Sequence, residues 1–320
     1  MGPFLYVWVI LIWGGTWIAI KYQDEGAPVS ASIFYRMAAA ALILFIIVLI
    51  RRSRMRFSLR DHFLMAGTGL CMFSANYIFL YWSEKYILSG FVALIFALTL
   101  PLNVVNSAIF NRRPLEKSMI LACVFGLVGI GTVFWSDVSH FSWNSQSVRG
   151  AVLALLAACC FSCGNVISDT AQLRGLPILQ MEAYGLGYGA AIMLPVTLLT
   201  GGFGFSTRPA YLGSLAYLII LGSVVAFGSY MWIIGRLGAG RAAYVTVLFP
   251  MVALLLSTFL EHYVWTPRAV LGAVLILIGS VVSVVGRKNA GSTPAAESIA
   301  SDSVAEAAPV NGAAGPARSK

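Results

Sequence analysis

The sequence predicts an all-α membrane protein of ten transmembrane helices, arranged as two inverted five-helix repeats. Three observations predict it: an apolar composition nearly free of charge, a series of apolar runs of membrane-crossing length, and a constant offset between matching residues of the two halves. Of the 320 residues, 59% are apolar and only 10% are charged, with a mean hydropathy of +0.85. A soluble globular chain carries roughly 25% charged residues to face water. The same apolarity excludes a disordered chain.

The apolar runs fall at 4–20, 30–50, 63–82, 88–110, 119–135, 149–168, 180–199, 212–234, 241–260 and 268–286. At 1.5 Å per residue each is long enough to cross a hydrocarbon core of about 30 Å. Long stretches of alternating polarity are missing, which excludes a β-barrel. The first run lacks a cationic start and a small-residue cleavage site, so it is expected to stay as a helix. The stretch 289–320 is rich in Ala, Ser, Gly, Pro and Glu. It lacks apolar periodicity and is expected to be a disordered tail.

The formal net charge is +9. In a soluble protein this would point to nucleic acid; between membrane spans it reports orientation, so no nucleic-acid partner is expected. Arg51, Arg52, Arg54, Arg56, Arg60, Arg112, Arg113, Lys117, Arg174, Arg236, Arg241, Arg287 and Lys288 fall on the side of the even-numbered connections. Lys21, Lys85, Arg149, Arg208 and Arg268 fall on the other. Thirteen against five predicts both termini in the cytoplasm. Cys71, Cys123, Cys159, Cys160 and Cys163 all sit in apolar stretches. The CxxC formed by Cys160 and Cys163 has no second pair and no nearby His, so packing explains it better than metal or redox work.

The two halves match. Pro28 and Pro177 are 149 positions apart, as are Pro101 and Pro250; Gly129 and Gly279 are 150 apart. The predicted repeats are 4–135 and 149–286. A unit of five spans is odd, so its second copy enters the membrane from the opposite side. That architecture is common among secondary transporters.

Polar and aromatic residues inside the spans come next. Trp13, Thr16 and Trp17 lie on span one, and Asn76, Tyr77 and Tyr81 on span three. Thr99, Asn103 and Asn106 lie on span four, and Ser162 and Asn165 on span six. Ser229, Tyr230, Trp232, Tyr244 and Thr246 lie on spans eight and nine. An amide or hydroxyl in hydrocarbon needs a partner, so these should face the bundle interior. Singly, each is explained by helix–helix bonding; together they resemble the lining of an amphipathic cavity. Trp13 with Trp17, and Tyr77 with Tyr81, are i,i+4 pairs on one helix face.

Pro101 and Pro250 fall inside spans four and nine, where each should remove one backbone bond and kink its helix beside a cavity. Arg36, inside span two, should either snorkel outward or pair with a carboxylate or carbonyl. Glu84, Asp169, Glu182 and Glu261 lie near span ends. With no acid at mid-membrane, coupling or gating by an ionisable group falls to Arg36, Glu84 or Glu261. His62, His140 and His262 are in loops, and HExxH, GxSxG, paired intramembrane aspartates and a Walker A motif are all missing. The chain is therefore expected to be neither an enzyme nor ATP-driven, and to need no cofactor or metal.

The chain resembles the drug/metabolite transporter superfamily, in the branch with paired EamA-type domains. The resemblance rests on WGGTWIAIK at 13–21, the stretch from Pro28 to Arg36, YWSEKYILSGFVALIFALTLPL at 81–102 and YVTVLFPMVALLLSTFLEHYVWTPRAVLGAVLILIG at 244–279. It implies ten helices in two inverted halves around a cavity lined by helices one, three, four, six, eight and nine. On those helices it implies substrate contacts from Trp13, Trp17, Asn76, Tyr77, Asn103, Asn165, Tyr230 and Tyr244. The acidic residue common after helix nine is Glu261; its counterpart after helix four is replaced by Asn111-Arg112-Arg113. The expected role is secondary transport of a small organic metabolite, amino-acid-like or aromatic, outward across a bacterial inner (plasma) membrane by alternating access. The lipid bilayer and a small-molecule substrate are the expected partners; oligomeric state stays open. A non-transporting membrane sensor or interaction protein and a facilitative channel are the alternatives. Only short loops and the tail are available to serve the first, and no carbonyl-lined filter motif serves the second.

Overall fold

Proline and short polar side chains set most of the helix starts. The computed structural model describes residues 2–24, 26–111, 117–133, 135, 145–230, 244–262 and 265–290. Helix α1 is Gly2–Asp24. Helix α2, Val29–Ile50, and helix α7, Ile178–Leu199, each begin directly after a proline, Pro28 and Pro177. Helix α3, Leu59–Glu84, opens on a capping box in which the Ser58 side chain accepts from the Asp61 N–H and Asp61 reaches back to the Ser58 backbone. Span four is split into α4a, Ser89–Phe96, and α4b, Thr99–Asn111. Then come α5, Lys117–Val133, and α6, Gln146–Leu173, capped by Ser145. Helix α8 is Pro209–Tyr230, with Pro209 at its first position, where the missing N–H costs no bond. Helices α9, Tyr244–Leu260, and α10, Pro267–Ala290, complete the chain. No strand occurs among the described residues. The tail expected from 289 lies outside the described residues beyond 290.

Helices α2, α3, α6, α7 and α8 are long and apolar enough to cross a membrane by length and composition, and shorter apolar helices accompany them. The outward faces are apolar too. On α9 Leu248, Met251, Leu255 and Phe259 are exposed at helical spacing, and on α10 Val270, Val274, Ile278 and Val281 are. In water such stripes would be aggregation sites; against lipid tails they carry no cost.

The packing follows a pattern. Helix α5 packs on α10, α2 on α7, and α4a on α9. The remaining principal contacts come in pairs: α3 on α7 and α2 on α8, α3 on α6 and α1 on α8, α4a and α4b on α6 and α1 on α9. Exchanging each helix for the one five places on maps this set onto itself.

Without a hydrophobic drive between helices in lipid, close backbone approach is the main source of cohesion. A Cβ on Gly69 of α3 would lie 2.7 Å from the Gly185 carbonyl oxygen and 2.9 Å from the Gly189 nitrogen on α7. A Cβ on Gly129 of α5 would lie 2.8 Å from the Gly272 oxygen and 3.0 Å from the Ile276 nitrogen on α10. Backbone cannot yield as a side-chain tip can. Gly129→Ala is therefore expected to lower stability by about 1–3 kcal/mol through overpacking. Gly131→Ala, where nothing lies within 4 Å of the added Cβ, should leave stability unchanged. Apparent melting temperatures of the two variants in detergent check this.

Candidate functional site

Two helices widen by one residue at matching places. In α3 the segment Cys71–Ala75 is π-helical, and the Asn76 N–H bonds back five residues to the Cys71 carbonyl. The Met72 carbonyl that it skips is taken by the Asn76 side chain, whose Nδ2 donates over 3.1 Å. In α8 the segment Leu218–Val225 is π-helical, and the Ala226 N–H bonds to the Leu221 carbonyl. Here the skipped carbonyl is that of Gly222, and it accepts from Nε1 of Trp13 on α1 at 3.4 Å. Such wide turns cluster at functional sites because they aim backbone groups out of the helix.

Met72 and Gly222 both line one cavity, bordered by residues of α1, α2, α3, α4a, α4b, α6, α8 and α9. One wall is a continuous aromatic surface. The Trp13 ring lies 4.9 Å from Tyr230 and 6.3 Å from Phe249. Trp17 stacks on Phe249 at 5.9 Å and meets Phe96 edge-on at 5.2 Å, and Phe96 lies 5.1 Å from Phe161. Amides complete the lining. Nδ2 of Asn165 on α6 donates to Oδ1 of Asn103 on α4b at 3.2 Å. Just outside the lining, Asn106 donates to Ser162 Oγ at 2.8 Å.

Arg36 is the one charged side chain in the described lining. It sits two turns into α2 and is 2% exposed. It does not snorkel out, and among the described residues its partners are hydroxyls, not a carboxylate or a carbonyl. Its Nε donates to Ser223 Oγ on α8 at 3.1 Å, and its Nη2 donates to the Tyr77 hydroxyl on α3 at 2.9 Å. The guanidinium carbon also lies 4.4 Å from the centre of the Tyr77 ring.

Trp13, Trp17, Asn76, Tyr77, Asn103, Asn165 and Tyr230 all line this cavity. Tyr244 opens α9, but its side chain lies outside the described residues, as do the side chain of Thr246 and the whole of Trp232. Tyr81 is fully buried and off the lining. Phe96, Phe161, Phe227 and Phe249 line the cavity without having been singled out. A phenyl ring in an apolar helix gives no contrast in sequence; only its spacing from the tryptophans could have flagged it.

Span four is interrupted in the turn before Pro101, at Ala97 and Leu98, where the Leu98 N–H bonds to the Ile95 carbonyl at 3.0 Å in a tightened turn; a proline deprives the carbonyl four residues back, here that of Ala97, of its helical donor. Pro101 is then the third residue of α4b, among the N–H groups a helix start leaves unpaired anyway. Pro250 does lie inside α9. The acids are away from the cavity. Glu84 is buried at the end of α3. Glu261 closes a clasp joining α1, α4a and α9. Its carboxylate pairs with Lys21 at 3.2 Å, accepts from Ser257 Oγ at 2.6 Å, and accepts from Ser89 Oγ at 2.7 Å and the Ser89 N–H at 3.2 Å. It thereby caps α4a from a neighbouring helix. No cluster of His, Cys, Asp or Glu able to hold a metal occurs among the described residues.

A family model described as the EamA-like transporter family matches residues 1–135 and 148–285. The chain is 26% identical over 280 residues to an uncharacterized transporter, YoaV, of Bacillus subtilis, covering 85% of this chain and 92% of that one. It is 24% identical to a protein of Streptantibioticus cattleyicolor named "Probable terminal-alkyne amino-acid exporter", covering 90% and 97%. A solved crystal structure with 18% identity shares the fold at a TM-score of 0.63, covering 90% of this chain and 97% of that one.

The clasp gives a graded expectation. Glu261→Ala strands three buried donors and should cost about 2–3 kcal/mol. Lys21→Ala removes a half-exposed partner and should cost under about 1 kcal/mol. Thermal unfolding of the two variants checks the order.

Proposed function

The chain belongs to the EamA-like transporter family, and we propose that it is a secondary transporter moving a small organic metabolite, amino-acid-like or aromatic, out of the cell by alternating access. The observation that carries this reading is the cavity itself. Its lining comes from both matched segments: Trp13, Trp17, Asn76 and Asn103 from the first, Asn165, Tyr230 and Phe249 from the second. An aromatic wall facing amides suits a compound with an apolar body and a polar end.

We read the two segments as inverted five-helix repeats, about 4–135 and 149–286, in a ten-helix bundle. Three features support it: the packing pattern that survives exchange of the halves, the π turns at Met72 and Gly222, and the prolines 149 positions apart. In such an architecture the halves rock about a site at their interface. The self-paired contacts α2 on α7, α4a on α9 and α5 on α10 lie between halves and would be the sliding surfaces. The clasp of Lys21, Ser89 and Glu261 joins α1 and α4a of the first half to α9 of the second. Placed at one end of the bundle, it would serve as a gate. The thirteen-to-five division of basic residues supports an inner-membrane orientation with both termini cytoplasmic.

Reconstituted protein tested for counterflow against amino acids and aromatic metabolites should show saturable exchange of at least one of them. Trp17→Ala and Asn76→Ala should each slow that exchange about tenfold or more, the worth of one lost hydrogen bond or ring contact, at unchanged membrane abundance. Absence of exchange across the panel, or full rates in both variants, would remove this assignment. Flux that never saturates would make the protein a channel.

A further inference from the structure

Hydrogen-bonding capacity is left over at the cavity wall, and one part of it is charged. Arg36 Nη1, Trp17 Nε1, Asn76 Oδ1 and Thr99 Oγ1 are buried atoms of lining residues, and each lacks a hydrogen-bond partner among the described residues. Buried polar atoms without partners are rare in folded proteins, and a group of them around one space marks where a ligand's polar atoms belong.

Arg36 sets the sign of that ligand. Its two other nitrogens are held by neutral hydroxyls, those of Ser223 and Tyr77, and the neutral Tyr81 hydroxyl also lies against the guanidinium. These fix the fork of the guanidinium without neutralising it. Among the described residues no carboxylate lies within ion-pair distance of it. No acid is among the described lining residues. A desolvated guanidinium with neutral partners projects a positive field into a low-dielectric space. Its planar N–H groups match a carboxylate better than any other biological anion of that size except phosphate. The Trp17 indole N–H adds a second unpaired donor on the same wall. Asn76 Oδ1 and Thr99 Oγ1 can accept from an amine or hydroxyl where the substrate has one, but as neutral groups they cannot hold a cation by charge.

We propose that Arg36 is the substrate's anion anchor: the transported compound carries a carboxylate that docks on the Arg36 guanidinium while its apolar or aromatic body lies along the Trp13–Trp17–Phe249 wall. This rests on the transport reading above and narrows it. A carboxylate is required, an amine is tolerated beside it, and an amine alone is rejected.

The test uses three probes with one body and different charge: 3-phenylpropanoate, phenylalanine and 2-phenylethylamine. Each competes for exchange in proteoliposomes of the full chain. The two carboxylates are expected to be taken up or to compete at least tenfold better than the amine. Arg36→Gln should erase that preference, a loss of roughly ten- to hundredfold for the carboxylates, the range of hydrogen bonds to charged groups. Ser223→Ala, which keeps the charge and removes one of the groups that orient it, should keep the sign of the preference at a reduced rate. If Arg36→Gln does not accumulate as folded protein, the wild-type charge series and Arg36→Lys decide. Lysine keeps the sign of the preference at reduced affinity. Equal or better handling of the amine by the wild type overturns the anchor and leaves the transport reading standing. A carboxylate preference surviving in Arg36→Gln does the same. Failure of all three probes to move or compete overturns both.

Discussion

A backbone carbonyl without a partner is among the costliest groups a helix can present inside a bilayer, because no water is there to take it. The cavity is organised by that constraint. It forms where helices depart from regularity, and each departure is paired with a group that answers it. The wide turn of α3 releases the Met72 carbonyl and places Asn76 one turn on to receive it. The wide turn of α8 releases the Gly222 carbonyl and the Trp13 indole comes across from α1 to donate. The two solutions differ in consequence. The first is local to one helix. The second ties α1 to α8 and fixes the tilt of a ring that begins the aromatic wall. Ser74, inside the α3 turn, donates to the Gly69 and Gly189 carbonyls and joins α3 to α7 at the glycine contact.

Arg36 stands at the meeting of these parts. It bridges the two helices that carry wide turns, reaching Tyr77 just after the one in α3 and Ser223 within the one in α8. At glycine 222 an added Cβ would crowd Thr16 at 3.1 Å and meet Arg36 Nη2 at an ordinary contact distance of 3.5 Å. A change in the angle between α3 and α8 would therefore have to break or remake bonds to one guanidinium.

Most of the span positions could be read from hydropathy alone, because a run of twenty apolar residues has few other fates. The polar half of the cavity was legible for a related reason. Asn76, Asn103 and Asn165 stand out against leucine and valine, and an amide at depth must face the interior. The aromatic half was only partly legible: the tryptophans stood out, the phenylalanines did not. The wide turns left no mark at all. They shift a hydrogen bond by one residue without calling for any particular side chain. In span four, proline marked the interruption: the chain breaks at Ala97 and Leu98, in the turn before Pro101, where a proline leaves a carbonyl without its helical donor. For Arg36 a carboxylate or carbonyl was the expected partner; among the described residues hydroxyls and a ring face hold it.

The two wide turns also keep step with the sequence. Pro28 and Pro177 lie before them, Pro101 and Pro250 after them, and both pairs are 149 positions apart. The chain therefore has the same length between the matching prolines that flank α3 and α8, wide turn included. What differs is the group that answers the freed carbonyl. An asparagine of the same helix closes one, so that turn can tilt without disturbing a neighbour. A tryptophan from α1 closes the other, so α8 cannot move at its wide turn without moving the ring that begins the aromatic wall.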